Sequence, residues 1–332
     1  MKKHFFSGID MSADSFNVCL LKNGPGGSRI DGAFRNTKAG IQKFLTWLRE
    51  NGVTCDNSTL VVENTGVYDD LFIYLLQRKG WTVCLLPTTA LKRVSPEHRK
   101  KTDEYDAFKL AEYAFRFKDT LKPAPVADAE VEQLRILYQT RQILVGDRSR
   151  LLAYQKQMKR QIFASKASVL AIETSLKSLS AQILKLEREM WAHIRRHKHI
   201  QRRYDLLKSV PGVGKLTGVL LLTLFWNKER LDIKQVASWF GIAPHPRQSG
   251  TSLLSKPRTG KTGRKDARSM LKMGTRSVMQ TEPEIILYKE QKLKEGKHIR
   301  VIENNVANKI VRWVCGVWNS NEPCHFGWKN AA

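Results

Sequence analysis

A chain of 332 residues with 42% hydrophobic side chains is long enough for two compact domains and apolar enough to fill their cores, which excludes a disordered polymer. Lys and Arg number 57 against 31 Asp and Glu, a formal charge of +26 spread along the chain, and the commonest partner of such a field is a phosphate backbone. Five scattered cysteines without a C-x-x-C pair, no leader-like start and no apolar run of bilayer length argue against a disulfide scaffold, a zinc ribbon and a membrane protein, and point to a reducing cytoplasm.

Three strands come first, Phe5–Asp10, Ser15–Lys22 and Arg29–Asn36, the last two separated by a Gly/Pro-rich turn at Asn23–Ser28. Lys38–Glu50 has helical spacing, with Ile41, Phe44, Leu45 and Leu48 on one face. A short apolar strand at Thr59–Glu63, a helix at Val67–Lys79, a strand at Trp81–Pro87, a basic loop and a helix at Asp103–Phe117 complete the region. Three strands followed by alternating helices and strands is the order of an α/β, ribonuclease-H-like (RuvC-like) domain, expected over residues 1–125.

From Val126 to Val210 there is no proline and one glycine, Gly146, and apolar residues recur among charged ones. One or two long amphipathic helices are expected there, a helical or coiled-coil connector over 126–205 that serves as a spacer or a dimerisation arm. A mainly α carboxy-terminal domain, 206–332, is expected to follow, with a loop from Pro244 to Thr262.

Four acidic residues fall where this fold gathers its ligands. Asp10 ends the first strand in GIDMS and Glu63 ends the fourth in LVVENTG, two strands that lie side by side in the ribonuclease-H-like arrangement. Asp103 and Asp106, in KTDEYDA, share a face at a helix start. Read singly, acids at strand ends ordinarily face solvent and Asp103 is an ordinary helix cap. Read together, four carboxylates at one sheet edge repel unless divalent cations lie among them, and all-oxygen ligation suits Mg²⁺ or Mn²⁺.

With GID at Gly8–Asp10, VVENTGVY at Val61–Tyr68 and KTDEYDA at Lys101–Ala107, the chain resembles the DEDD transposases of the insertion-sequence one-ten family, a group that includes a pilin-gene invertase. The resemblance implies that Asp10, Glu63, Asp103 and Asp106 are the DEDD tetrad. It extends to the other half of the chain, where GIAPHPRQSG followed by GKTGRKDAR resembles the carboxy-terminal signature of the same enzymes, and it implies that Ser249 is the nucleophile. On residue pattern alone Ser249 is a turn residue, and Ser252 and Ser255 are alternatives. Arg247 and nearby lysines could steady charge on phosphorus.

Leu206–Leu222 reads LLKSVPGVGKLTGVLLL, the pattern of a helix-hairpin-helix in which Gly212 and Gly214 turn backbone amides toward a phosphate and Lys215 adds charge; an ordinary helix-helix turn needs glycine too. Between Ser255 and Arg276 stand eight Lys or Arg, including Lys261 and Lys265, against one acid, Asp266. Arg264, Arg268, Lys272 and Arg276 are four apart and form one stripe on a helix, either a solvated face or a phosphate contact.

The function expected is cutting and rejoining of DNA through a covalent phosphoserine, with DNA ends and target as partners, a homo-oligomer (dimer or tetramer) as the working form and, by the resemblance, a structured non-coding bridge RNA as guide. The rivals are a RuvC-like Holliday-junction resolvase or nuclease using water, an actin-like kinase, for which only Pro211–Gly214 suggests a phosphate loop, and a non-catalytic nucleic-acid-binding protein.

Overall fold

The computed structural model describes residues 4–64, 66, 68–87, 102–249, 253–259 and 263–324, which fall into two compact units dividing between Ala127 and Asp128.

In the first unit the described residues build a five-stranded sheet from β1 (Phe5–Met11), β2 (Ser15–Lys22), β3 (Arg29–Arg35), β4 (Ser58–Glu63) and β5 (Val83–Leu86), in the order β3-β2-β1-β4-β5. The first three strands are antiparallel neighbours, while β4 runs parallel to β1 and β5 parallel to β4. This is the ribonuclease-H-like topology expected from the element order.

Strand alternation divides the unit into layers. Phe5, Ile9 and Met11 of β1 pack with Ile41, Phe44, Leu45 and Leu48 of α1 (Lys38–Glu50) and with Phe72 and Leu76 of α2 (Asp70–Gln77). Phe6 faces the other way and packs with Val61 and with Leu110, Ala111 and Ala114 of α3 (Asp103–Arg116). Burying each of the larger apolar side chains contributes about 1.5–3 kcal/mol before the entropy of ordering it. α1 begins where expected because the Thr37 hydroxyl accepts from the Gly40 amide at 3.1 Å. The basic loop before α3 lies outside the described residues.

The second unit opens with two long helices, α4 (Ala129–Met158) and α5 (Lys166–Arg196), cross-linked where the Arg141 guanidinium donates to Glu187 at 2.9 Å and that of Arg148 to the Ser180 hydroxyl at 2.9 Å. Leu134 and Ile183 are buried, whereas Ile136, Ile143 and Leu184 stand at least half exposed. Then come α6 (Lys198–Lys208), α7 (Lys215–Phe225), α8 (Ile233–Trp239), α9 (Lys265–Thr281), α10 (Pro283–Lys294) and α11 (Ile299–Ser320), closed round Leu222, Phe225, Phe240, Leu271, Ile310 and Trp318.

One element differs from expectation. The stretch read as a loop contains a two-stranded antiparallel ribbon, β6 (Pro244–Ser249) with β7 (Leu253–Thr259). Pro244, Pro246 and Pro257 cannot donate to a ladder, which removed the strand signal; the pairing shifts register between His245 and Arg247, so Pro246 sits at the bulge that tolerates it.

Candidate active site

Gly8 sets the geometry of the acidic edge. A Cβ there would lie 2.1 Å from the Ala107 carbonyl oxygen and 2.2 Å from the Ala111 amide nitrogen, so α3 rests directly on the backbone of β1. Asp10 shares the Gly8 face of β1 by strand alternation. Asp103 lies one turn before Ala107 and Asp106 one turn before Leu110, and Ala107 and Leu110 are buried on the contact face of α3. Glu63 follows Val61 on the same side of β4, and the β1–β4 register, ending at Ile9 opposite Val62, brings Asp10 and Glu63 to adjacent strand ends.

The electrostatics follow. The Asp10 carboxyl is pushed up to about 6, first by its burial and then by the negative charges of Asp103, Asp106 and Glu63. Asp106 is held by Lys109 at 3.1 Å, and the Lys109 ammonium lies 4.4 Å from the centre of the Tyr105 ring. Among the described residues no three of the four carboxylates bring an oxygen each within 4.8 Å of one another. The donor set is all carboxylate, half-buried at Asp10, Glu63 and Asp106, and open at Asp103, which suits a hard divalent cation that keeps some of its water. Sequence reasoning passed over Gly8 and Lys109. Glycine inside an otherwise apolar strand, two residues before an acid, was the available signal for the first.

In the second unit the glycine turn joins α6 to α7 as expected. Gly212 has φ +82°, and a Cβ on it would lie 2.7 Å from Val278 Cγ2 and 3.0 Å from the Gly274 oxygen of α9, so packing alone requires glycine there. Gly214 has open space and caps α7 without any side-chain bond, which leaves the first amides of that helix to solvent or a ligand. The Lys208 ammonium donates to the Val213 carbonyl at 2.8 Å and is lowered in pKa by burial and by Lys215, which is itself exposed; two lysines flank uncapped amides.

The basic stripe is partly engaged inside the fold. Arg264 forms a paired contact with Asp266, whose carboxyl it holds low, at 2.6 Å; Arg268 donates to the Phe240 carbonyl at 3.3 Å; Arg276 lies 3.8 Å from Glu303. Lys265 and Lys272 are exposed. Backbones of Arg247 and Ser249 belong to β6, opposite Ser255 and Leu253 respectively, and Lys261 lies outside the described residues.

A ribonuclease-H-like sheet with acids at the ends of its first and fourth strands and on the helix laid across them places the first unit in the RuvC-like class of folds. Within that class, residues 7–164 match the DEDD transposase profile of the IS110 group and residues 204–290 match that of the transposase IS116/IS110/IS902 family, to which the chain belongs. It is similar to the pilin gene-inverting proteins of Moraxella bovis and Moraxella lacunata, 24% identical to each over 274 residues, 81% of both chains. Among solved structures it is similar to Thermus thermophilus RuvC in complex with a Holliday junction substrate, at 12% identity over 36% of this chain and 99% of that one, with a TM-score of 0.28. Among the described residues no helix is long and apolar enough to cross a membrane.

Proposed function

We propose that this transposase cuts and rejoins DNA by using Asp10, Glu63, Asp103 and Asp106 to hold Mg²⁺ or Mn²⁺ and Ser249 to attack the scissile phosphate. The observation that carries the first half is the upward push on Asp10, first by its burial and then by three other carboxylates whose repulsion a divalent cation would turn into binding energy. Asp10, Glu63, Asp103 and Asp106 would hold the cations, which when bound would supply Lewis-acid stabilisation of developing negative charge.

The remaining chemistry belongs to the chain. Ser249 Oγ forms a bond to phosphorus while the bond from phosphorus to a sugar oxygen breaks; the serine proton passes to solvent, and the freed sugar oxygen takes one up. Attack of a sugar hydroxyl from another strand on the phosphoserine reverses these events, so joining needs no nucleotide cofactor. Arg247 or lysines of the same stretch would steady the charge on phosphorus. The amides after Gly212 and Gly214, with Lys215, and the stripe of Arg264, Lys265, Arg268, Lys272 and Arg276 hold phosphates away from the reacting one. The inverting activity in the names of the Moraxella relatives supports rejoining over simple cutting.

The exposed Ile136, Ile143 and Leu184 of α4 and α5 support an oligomer assembled through these arms; a structured guide RNA beside the DNA is what the family resemblance implies, and the charge of +26 fits either nucleic acid. The test is a covalent trap. Incubated with Mg²⁺ and an end-labelled duplex carrying an element end, with guide RNA, the wild-type chain should yield a denaturation-resistant protein–DNA adduct that Ser249→Ala abolishes together with joining. Cutting that persists in Ser249→Ala without adduct would make the protein a water-dependent nuclease.

A further inference from the structure

Outside the tetrad, Asp128, Glu130 and His199 bring one ligand atom each within 4.8 Å of one another. The groups arrive from separate elements of the second unit. Asp128 caps α4, and its Oδ1 accepts from the amides of Glu130 and Val131 at 3.1 and 3.2 Å, which leaves Oδ2 free to face His199 Nε2 at 3.7 Å. Glu130 lies in the first turn of α4, with Oε2 3.7 Å from His199 Nε2 and Oε1 3.7 Å from Nδ1 of His197. His197 is the joint between α5 and α6, and His199 sits in the first turn of α6.

A separation of 3.7 Å is too long for a hydrogen bond. It is close to the ~3.3–3.5 Å edge of a tetrahedron whose ligands lie about 2.0–2.1 Å from zinc. The backbone beneath is fixed: the buried His193 ring meets the Glu130 carbonyl at 2.7 Å, and the His193 and His197 rings lie 4.6 Å apart.

From this geometry we infer that Asp128, Glu130 and His199, with His197 as a further ligand, form a second metal site, selective for a borderline ion such as Zn²⁺ and distinct in chemistry from the all-carboxylate tetrad. Mixed imidazole and carboxylate donors favour Zn²⁺ over Mg²⁺, and the half-exposed His199 leaves room for a water ligand. The bound ion ties the first turn of α4 to the joint of α5 with α6, fixing the base of the long helical pair. This inference goes beyond the proposed catalytic reading and does not depend on it.

The experiment uses the full chain, wild type and the tetrad variant Asp10→Asn/Glu63→Gln, each with excess Mg²⁺ to occupy hard sites. Zn²⁺ affinity is read by chelator competition, and Co²⁺ substitution by visible absorption, which is intense for a four-coordinate ion. Both proteins should take up about one equivalent, and His199→Ala and His197→Ala/His199→Ala should weaken uptake at least about tenfold while circular dichroism stays native. The inference is overturned by no uptake in the wild type, by Zn²⁺ affinity within twofold of wild type in natively folded His199→Ala, or by uptake lost in the tetrad variant and kept in the histidine variants.

Discussion

The backbone of Gly8 touches the backbone of Ala107: a single methyl group on the glycine would stand 2.1 Å from the Ala107 carbonyl oxygen. That contact seats α3 on β1, and with it the two aspartates at the helix start beside Asp10. Gly8→Ala should therefore destabilise the protein by about 3 kcal/mol or more, because helix and strand must separate. Gly26→Ala, where nothing lies within 4 Å, should stay within about 0.5 kcal/mol. Denaturant unfolding of the two variants checks this.

Asp10 gives stability a pH dependence of definite sign. Its folded pKa, about 6, lies above its ordinary value of 3.8, so the folded state binds the proton more tightly. That contribution is fully present below about pH 4 and is lost as pH rises through 6. In chelator, Asp10→Asn should flatten the melting temperature between pH 4 and 7 and stabilise the protein at pH 7 by roughly 1 kcal/mol, after discounting for solvent screening at a half-buried site. Added Mn²⁺ should reverse the trend for the wild type, raising its melting temperature at pH 7 and releasing a proton where Asp10 is still protonated.

The glycine turn separates packing from phosphate contact. Gly274→Ala places a methyl 2.2 Å from the Gly212 oxygen and should lower stability by about 2 kcal/mol. Gly214→Ser meets open space at a helix cap and should leave stability unchanged or raised while blocking the approach of a phosphate. Fluorescence anisotropy with a labelled duplex should show weaker binding for Gly214→Ser at an unaltered melting temperature.

Two members of the basic stripe should part company. Lys272 is exposed, so Lys272→Ala should cost no stability and lower the salt dependence of DNA binding by about one unit of logarithmic slope. Arg268 donates to the Phe240 carbonyl, and Arg268→Ala should lose about 1 kcal/mol of stability as well as affinity. Binding isotherms across a salt series, with parallel melts, distinguish them.

The acidic edge was legible in the sequence because each element announces itself locally: alternation fixes the faces of β1 and β4, and a three-residue spacing puts Asp103 and Asp106 together. The long helices α4 and α5 were legible from the absence of proline. The ribbon of β6 and β7 was not, since Pro244, Pro246 and Pro257 mask strand pattern and bulges accommodate them. Nor was the seat at Gly8, whose reason lies about a hundred residues away in Ala107. The meeting of Asp128 and Glu130 with His199 is of the same kind: only the closure of three helices brings them together, and no spacing along the chain encodes it.

The most direct test of the account is anomalous diffraction from crystals of the full chain grown with Mn²⁺. A manganese peak enclosed by Asp10, Glu63, Asp103 and Asp106 should appear, and should be absent from crystals of Asp10→Asn/Glu63→Gln. Manganese-loaded crystals with no peak at that edge, or with the metal bound by residues other than Asp10 and Glu63, would contradict it.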